Sequence, residues 1–274
     1  DEDTIKANLA TYTERYGDDI PIEFHPIIRS EEACYKSSSR AVELAKKTGA
    51  KLHVFHVSTA KELELFDSKK PLKDKKITAE VCIHHLWFND SDYDAKGTLI
   101  KWNPAVKTKK DQDALLKGLL DGKLDVLATD HAPHTKEEKK NPYTKAPSGG
   151  PLVQHALPAM LEFYHEGKIS LEKIVEKMCH NPAILFDIEQ RGYIKEGYKA
   201  DLVQAFARGV ARAANDKWQA DIVPDAEVKD GYSHVFCFNF QRTMPAKEDR
   251  TGLILRRRLI ERYEPIGKIW YFDS

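Results

Sequence analysis

Three short runs rich in β-branched and aromatic residues alternate with helix-patterned segments, and this alternation constrains the fold more than any other feature. The runs are Lys51-Leu52-His53-Val54-Phe55-His56-Val57, Ile77-Thr78-Ala79-Glu80-Val81-Cys82-Ile83 and Leu124-Asp125-Val126-Leu127-Ala128-Thr129. Each has the length and residue types of a strand. Strands separated by helices form parallel sheets, because the helix carries the chain back across one face. The expected order is helix 31–47, strand 51–57, helix 60–67, strand 77–83, helix 109–121, strand 124–129, then helices near 152–165 and 171–179. Ser30 and Thr108 read as N-caps, Gly49 and Gly122 as helix stops, and Thr59-Ala60-Lys61-Glu62 as a capping box. Residues 3–16 are mostly polar with weak helical spacing.

The three strands end on residues that can do chemistry. His56 closes the first, His84-His85 follows the second, and Asp130-His131-Ala132-Pro133-His134 follows the third. In a barrel of alternating strands and helices, the C-terminal strand ends are where active sites are built. A single histidine such as His53 or His155 reads as a satisfied, half-buried side chain. Three successive strand ends carrying imidazoles or a carboxylate point instead to one shared site.

Composition narrows the partners. Forty-three basic and 43 acidic residues cancel, so no global field favours nucleic acid or an anionic membrane. No apolar run is long enough to span a bilayer. Cys34, Cys82, Cys179 and Cys237 are widely spaced with no Cys-x-x-Cys pair, which fits a reducing cytoplasm and argues against a thiolate zinc site.

The motifs carry a family resemblance. His56-Val57-Ser58-Thr59, Thr78-Ala79-Glu80-Val81 with His84-His85-Leu86, Asn103-Pro104 and Thr129-Asp130-His131-Ala132-Pro133-His134 resemble those of the dihydroorotases, within the amidohydrolase superfamily. Ser148-Gly149-Gly150, Asn181-Pro182-Ala183 and Gly197-Tyr198-Lys199-Ala200-Asp201-Leu202-Val203 continue the match in order. The resemblance implies an α/β fold, the last strands and helices of a (β/α)8 TIM-type barrel, followed by a divergent tail. It implies zinc, one ion or two, and cyclic amide hydrolysis of dihydroorotate to carbamoyl aspartate, a step of pyrimidine synthesis. His56 and Asp130 match metal ligands, and Asp130 also matches the general base. Asn103, His134, Ser148 and Gly149 match substrate-binding positions. His84 and His85 fall near the site and are not assigned as ligands. Homodimers are common among the relatives.

The same resemblance marks departures. The family's His-x-His pair, its carboxylated lysine or aspartate and its fifth-strand histidine have no counterpart after Asp1, so this chain alone is expected to be inactive. Open sheet edges on a partial barrel are expected to favour self-association. The resemblance ends near Val203, and the preference for lysine over arginine ends there too. Residues 1–203 hold 27 lysines and four arginines, whereas residues 204–274 hold four lysines and eight arginines. The expected organisation is therefore a barrel portion over 1–185, the start of a small β-sandwich over 186–203, and a tail of foreign character over 204–274. Three alternatives compete: another cyclic amidohydrolase such as a dihydropyrimidinase or allantoinase, a non-catalytic dihydroorotase-like scaffold subunit, and a truncated gene product.

Overall fold

A computed structural model describes residues 1–199, and the backbone of two further strands at 218–220 and 240–242. The tail expected over 204–274 and the Ala200-Asp201-Leu202-Val203 part of the last motif otherwise lie outside the described residues. The chain divides into two compact units, one formed by residues 1–156 with 173–187 and the other by 157–172 with 188–274.

In the first unit, helices α1 (Glu2–Tyr16), α2 (His25–Ile28) and α3 (Glu31–Thr48) precede strand β1 (Leu52–Val54). Strand β2 (Ile77–Cys82) runs directly into α4 (Ile83–Trp87), followed by α5 (Tyr93–Lys96), α6 (Lys109–Leu120), β3 (Val126–Ala128) and α7 (Lys136–Lys139). Helix α8 (Ala156–His165) falls almost wholly in the second unit and α9 (Leu171–Val175) is divided between the two, while the π-helical turn over Glu176–His180 and helix α10 (Asn181–Leu185) belong to the first. In the second unit, β4 (Trp218–Ala220) pairs antiparallel with β5 (Phe240–Arg242).

The three predicted strands form one parallel sheet in the order β1-β2-β3. Leu52 pairs with Ile77 and Glu80 with Val126, which sets the register on both sides of β2. The central strand is the most deeply covered: Ala79 and Val81 are wholly buried, as expected for a strand enclosed on both faces. Helix α6 presents Leu115 and Leu119 to the core, and its buried Gly118 lets Leu63 approach to 3.0 Å of where a Cβ would sit.

The helix ends follow local chemistry. Ser30 Oγ accepts from Ala33 N at 3.2 Å, and Gly49 closes α3 in the left-handed region at φ 75°. Thr108 and Asp111 form a reciprocal capping box on α6. Residues 61–65 differ from expectation, forming a 3-10 helix and not an α-helix. The segment is too short to propagate α-helical hydrogen bonds, and 3-10 geometry is common in such short pieces. The Glu62 carboxylate folds back to accept from Ser58 N, Thr59 Oγ1 and Ser38 Oγ, which anchors the turn.

The far end of β3 is secured by buried polar contacts. Asp125 pairs with Lys75 at 2.7 Å and accepts from Ala79 N, while Asn181 Nδ2 donates to the Asp125 carbonyl. Asn181-Pro182-Ala183 thus has a structural role at the end of the sheet opposite the candidate site.

Candidate functional site

His56 lies two residues beyond β1 and interrupts the ladder. Leu52 N donates to Lys76 O, and two-residue steps along a parallel pair would bring His56 N to Glu80 O. Val57 N takes that carbonyl instead, at 2.9 Å. One extra residue is therefore accommodated at His56, whose φ is 39°. Bulges of this kind re-aim side chains beside active sites. The Ser58–Glu62 anchor then fixes the turn, so His56-Val57-Ser58-Thr59 is a built corner. His53, one turn of the pleat earlier, is half-buried and satisfied: its ring nitrogens meet Thr78 Oγ1 at 2.8 Å and Glu80 at 3.1 Å. His155 is exposed, unlike the half-buried reading its sequence context gave.

Asp130 stands in the same place relative to β3, two residues past its end, and it too is left-handed, with φ 47°. Left-handed backbone is uncommon for residues with a Cβ and costs about 1–3 kcal/mol where it is held. Asp130 is exposed and His56 half-buried. The following segment is tied down by the 148–150 loop. His131 bridges to Gly150, Ala132 N donates to Gly150 O at 3.2 Å, and His134 Nε2 lies 3.2 Å from Ser148 O. Gly149 has φ 134°, and a Cβ there would lie 2.5 Å from Ala132 O. Only glycine permits this approach.

Asn103 lies in the segment before α6 and precedes Pro104 across a cis peptide bond. Its Oδ1 is buried with no hydrogen-bond partner among the described residues. Two buried lysines join this segment to the 143–149 loop. Lys101 Nζ donates to Tyr143 O and Ala146 O, both at 2.6 Å, and Lys139 Nζ donates to Lys101 O, Pro147 O and Gly149 O. Burial without a carboxylate partner pulls both ammonium groups down to a pKa of about 8. His25 braces the same seam, with Nδ1 at 2.8 Å from Tyr143 Oη and Nε2 at 2.7 Å from Trp102 O. Nothing in the sequence nominates Lys101, Lys139 or His25, because buried lysines and histidines have no local signature.

The end of β2 carries a cluster that the sequence leaves unassigned. Cys82, His84 and His85 are all buried, and their ligand atoms lie within 4.8 Å of one another. His84 stacks on Trp102 with ring centroids 4.5 Å apart, and both of its nitrogens lack partners. Desolvation, with neighbouring His85 and His56, holds His84 neutral, and burial lowers His85 to about 3. Burial, with Glu80 and Asp130 nearby, pushes the Cys82 thiol up. His56 and Asp130 thus both make themselves felt at the end of β2, the strand between theirs. A cavity of about 700 Å³ opens elsewhere, beside Glu31, Ala60, Lys107 and Asp111, and none of the sequence-nominated residues lines it.

An imidazole and a carboxylate are donors of the kind zinc takes. His56 and Asp130 therefore fit the ion in kind, although a catalytic zinc normally uses three protein ligands. A parallel α/β sheet thus places an imidazole and a carboxylate just past the ends of its two outer strands.

The profile of the amidohydrolase family matches residues 10–224, and the chain belongs to that family. It is 44% identical over 164 residues to a dihydroorotase of Carboxydothermus hydrogenoformans, covering 60% of this chain and 38% of that protein. A dihydroorotase of Halobacterium salinarum is 38% identical over 175 residues, covering 64% of this chain and 40% of that protein. Thus the chain spans about two fifths of the length of these curated relatives. Among solved structures, a D-hydantoinase from a Bacillus sp. AR9 superposes with a TM-score of 0.65 at 29% identity, over 73% of this chain and 45% of that one.

Proposed function

We propose that the site serves dihydroorotase chemistry: the reversible hydrolysis of dihydroorotate to carbamoyl aspartate, on a sheet equivalent to the last three strands of a (β/α)8 barrel over residues 1–185. Residues 186–203 would begin a small β-sandwich, and 204–274 would form a separate tail. The observation that carries this reading is the matched placement of His56 and Asp130, each two residues past a parallel strand and each left-handed. Higher identity to dihydroorotases than to the hydantoinase favours this substrate over dihydropyrimidines.

His56 and Asp130 would hold the zinc, which when bound polarises the ring carbonyl and lowers the pKa of water. The Asp130 carboxylate takes the proton from the attacking water and passes it to the departing ring nitrogen. Asn103, with its unpaired Oδ1, accepts from a ring N–H, while His134 and the Ser148 N–H, on the turn that Gly149 shapes, orient the substrate carboxylate. The buried Lys101 and Lys139 ammonium groups give this loop a positive field suited to an anionic substrate.

Two ligands from His56 and Asp130 leave the metal centre short, so turnover by the 274-residue chain alone is proposed to be negligible. The test has two arms. Saturable binding of dihydroorotate, with amide shifts at Asn103, His134 and Ser148–Gly149 and weaker binding of dihydrouracil, is expected; the reverse preference sinks the substrate assignment. Zinc-dependent ring opening of dihydroorotate by the purified chain would refute the proposal that it is inactive alone.

A further inference from the structure

We propose that Cys82, His84 and His85 form a buried site for a thiophilic divalent cation, zinc or a close analogue, independent of the His56–Asp130 pair. The first support is proximity: the thiol sulphur and two imidazoles, all buried, lie within 4.8 Å of one another. Across a tetrahedral zinc such donors sit roughly 3.3–3.6 Å apart. About an ångström of side-chain adjustment closes the set.

The second support is the unpaired nitrogens. His85 Nε2 lies 3.1 Å from Pro104 O. A carbonyl only accepts, so that nitrogen carries the proton and Nδ1 presents its lone pair. Nδ1 is buried without a partner. A metal-bound histidine is typically arranged this way, with its second nitrogen donating to a carbonyl. His84 likewise has two buried nitrogens with no partner among the described residues, and a native interior leaves such groups empty only rarely. Direct passage from β2 into α4 brings all three side chains inward over four residues. One sulphur and two imidazoles select zinc or cadmium over calcium or magnesium, which require oxygen ligands.

The experiment is titration of the chelator-treated 274-residue chain with cadmium, read by the thiolate-to-metal charge-transfer band. One equivalent is expected to bind with that band. Cys82→Ser should abolish it, His84→Gln should weaken binding at least about tenfold, and His56→Ala with Asp130→Asn should leave it in place. Alkylation of the unmutated chain gives a second reading: buried Cys82 reacts only when the fold opens, and zinc should slow that reaction while half-buried Cys34 and exposed Cys179 react as before. No band, a band that survives Cys82→Ser, or Cys82 alkylation that zinc does not slow overturns the site. Because the band does not depend on His56, Asp130 or dihydroorotate, its failure is distinguishable from failure of the dihydroorotase assignment.

Discussion

His56 and Asp130 occupy corresponding positions, each two residues beyond the end of a strand that flanks β2, and each in left-handed backbone, at φ 39° and 47°. Backbone strain at two such positions persists only where surrounding structure enforces it. Here the Glu62 carboxylate enforces it at His56, and the 148–150 loop enforces it behind Asp130.

Glycine adopts left-handed angles without the Cβ penalty, whereas alanine retains it. Asp130→Gly should therefore be more stable than Asp130→Ala by about 1 kcal/mol, and the His56 pair should show the same order. Urea midpoints of the four variants check this. Equal midpoints within each pair would mean that neither backbone is held under strain.

Gly149 is the point where the loop meets the segment after Asp130. A methyl group there would meet Ala132 O at 2.5 Å and Ala132 Cβ at 2.7 Å, both parts of backbone or rigid side chain. Gly149→Ala should cost about 2 kcal/mol or more. It should also accelerate amide exchange across 130–150. Gly150→Ala, meeting the Trp102 ring at 2.8 Å, should destabilise while leaving Asp130 closer to its native exchange rate. Gly149→Ala with unchanged exchange would show the loop to be free of that contact.

Much of this frame is legible locally. Ser30, Gly49 and Thr108 act through neighbours three or four residues away, so their roles can be read along the sequence. The strands are legible in type and less so in extent: 51–57 narrows to Leu52–Val54 because the ladder slips at His56. Long-range contacts leave no such trace. His25 meets Tyr143 across 118 residues, and Lys139 resembles any surface lysine until the loop closes over it. The Cys82–His84–His85 cluster had a signal, a Cys-x-His-His run at a strand end. Reading it required knowing that α4 begins without an intervening loop.

The buried lysines give an unusual pH dependence. Lys101 and Lys139 titrate at about 8 in the folded chain, below the ordinary value of 10.5. Above pH 8 the folded state sheds protons that the unfolded chain still binds, so the cost of burying the two charges is relieved as pH rises towards 10.5. Tyr143, pushed up to about 12, acts in the opposite direction above pH 10, and the raised Cys82 and Cys179 thiols do so above their ordinary value of 9.0. Stability should therefore rise between about pH 8 and 9, by at most about 1.4 kcal/mol per pH unit for each lysine, and the rise should flatten above about pH 9 as the thiols oppose it. Lys139→Met should remove about half of that rise in urea titrations. A wild-type profile that falls through this window would mean the ammonium groups are better compensated than their carbonyl partners provide.

Acid acts through the buried histidines, His25 together with His84 and His85. Burial lowers the His25 pKa from 6.5 to about 3, with both ring nitrogens bonded inside the seam. The unfolded chain takes up a proton below pH 6.5 that the folded chain refuses until about 3, so His25 reduces stability as pH falls through that window. The slope is at most about 1.4 kcal/mol per pH unit from this residue. His25→Gln retains groups able to bond Tyr143 and Trp102 but cannot titrate. Its stability should be lower at pH 7, because the amide fits the imidazole's place imperfectly, and should decline less steeply towards pH 5. Parallel pH profiles for the two proteins would show that another group carries the acid sensitivity, and that the His25 ring is not held neutral by the seam.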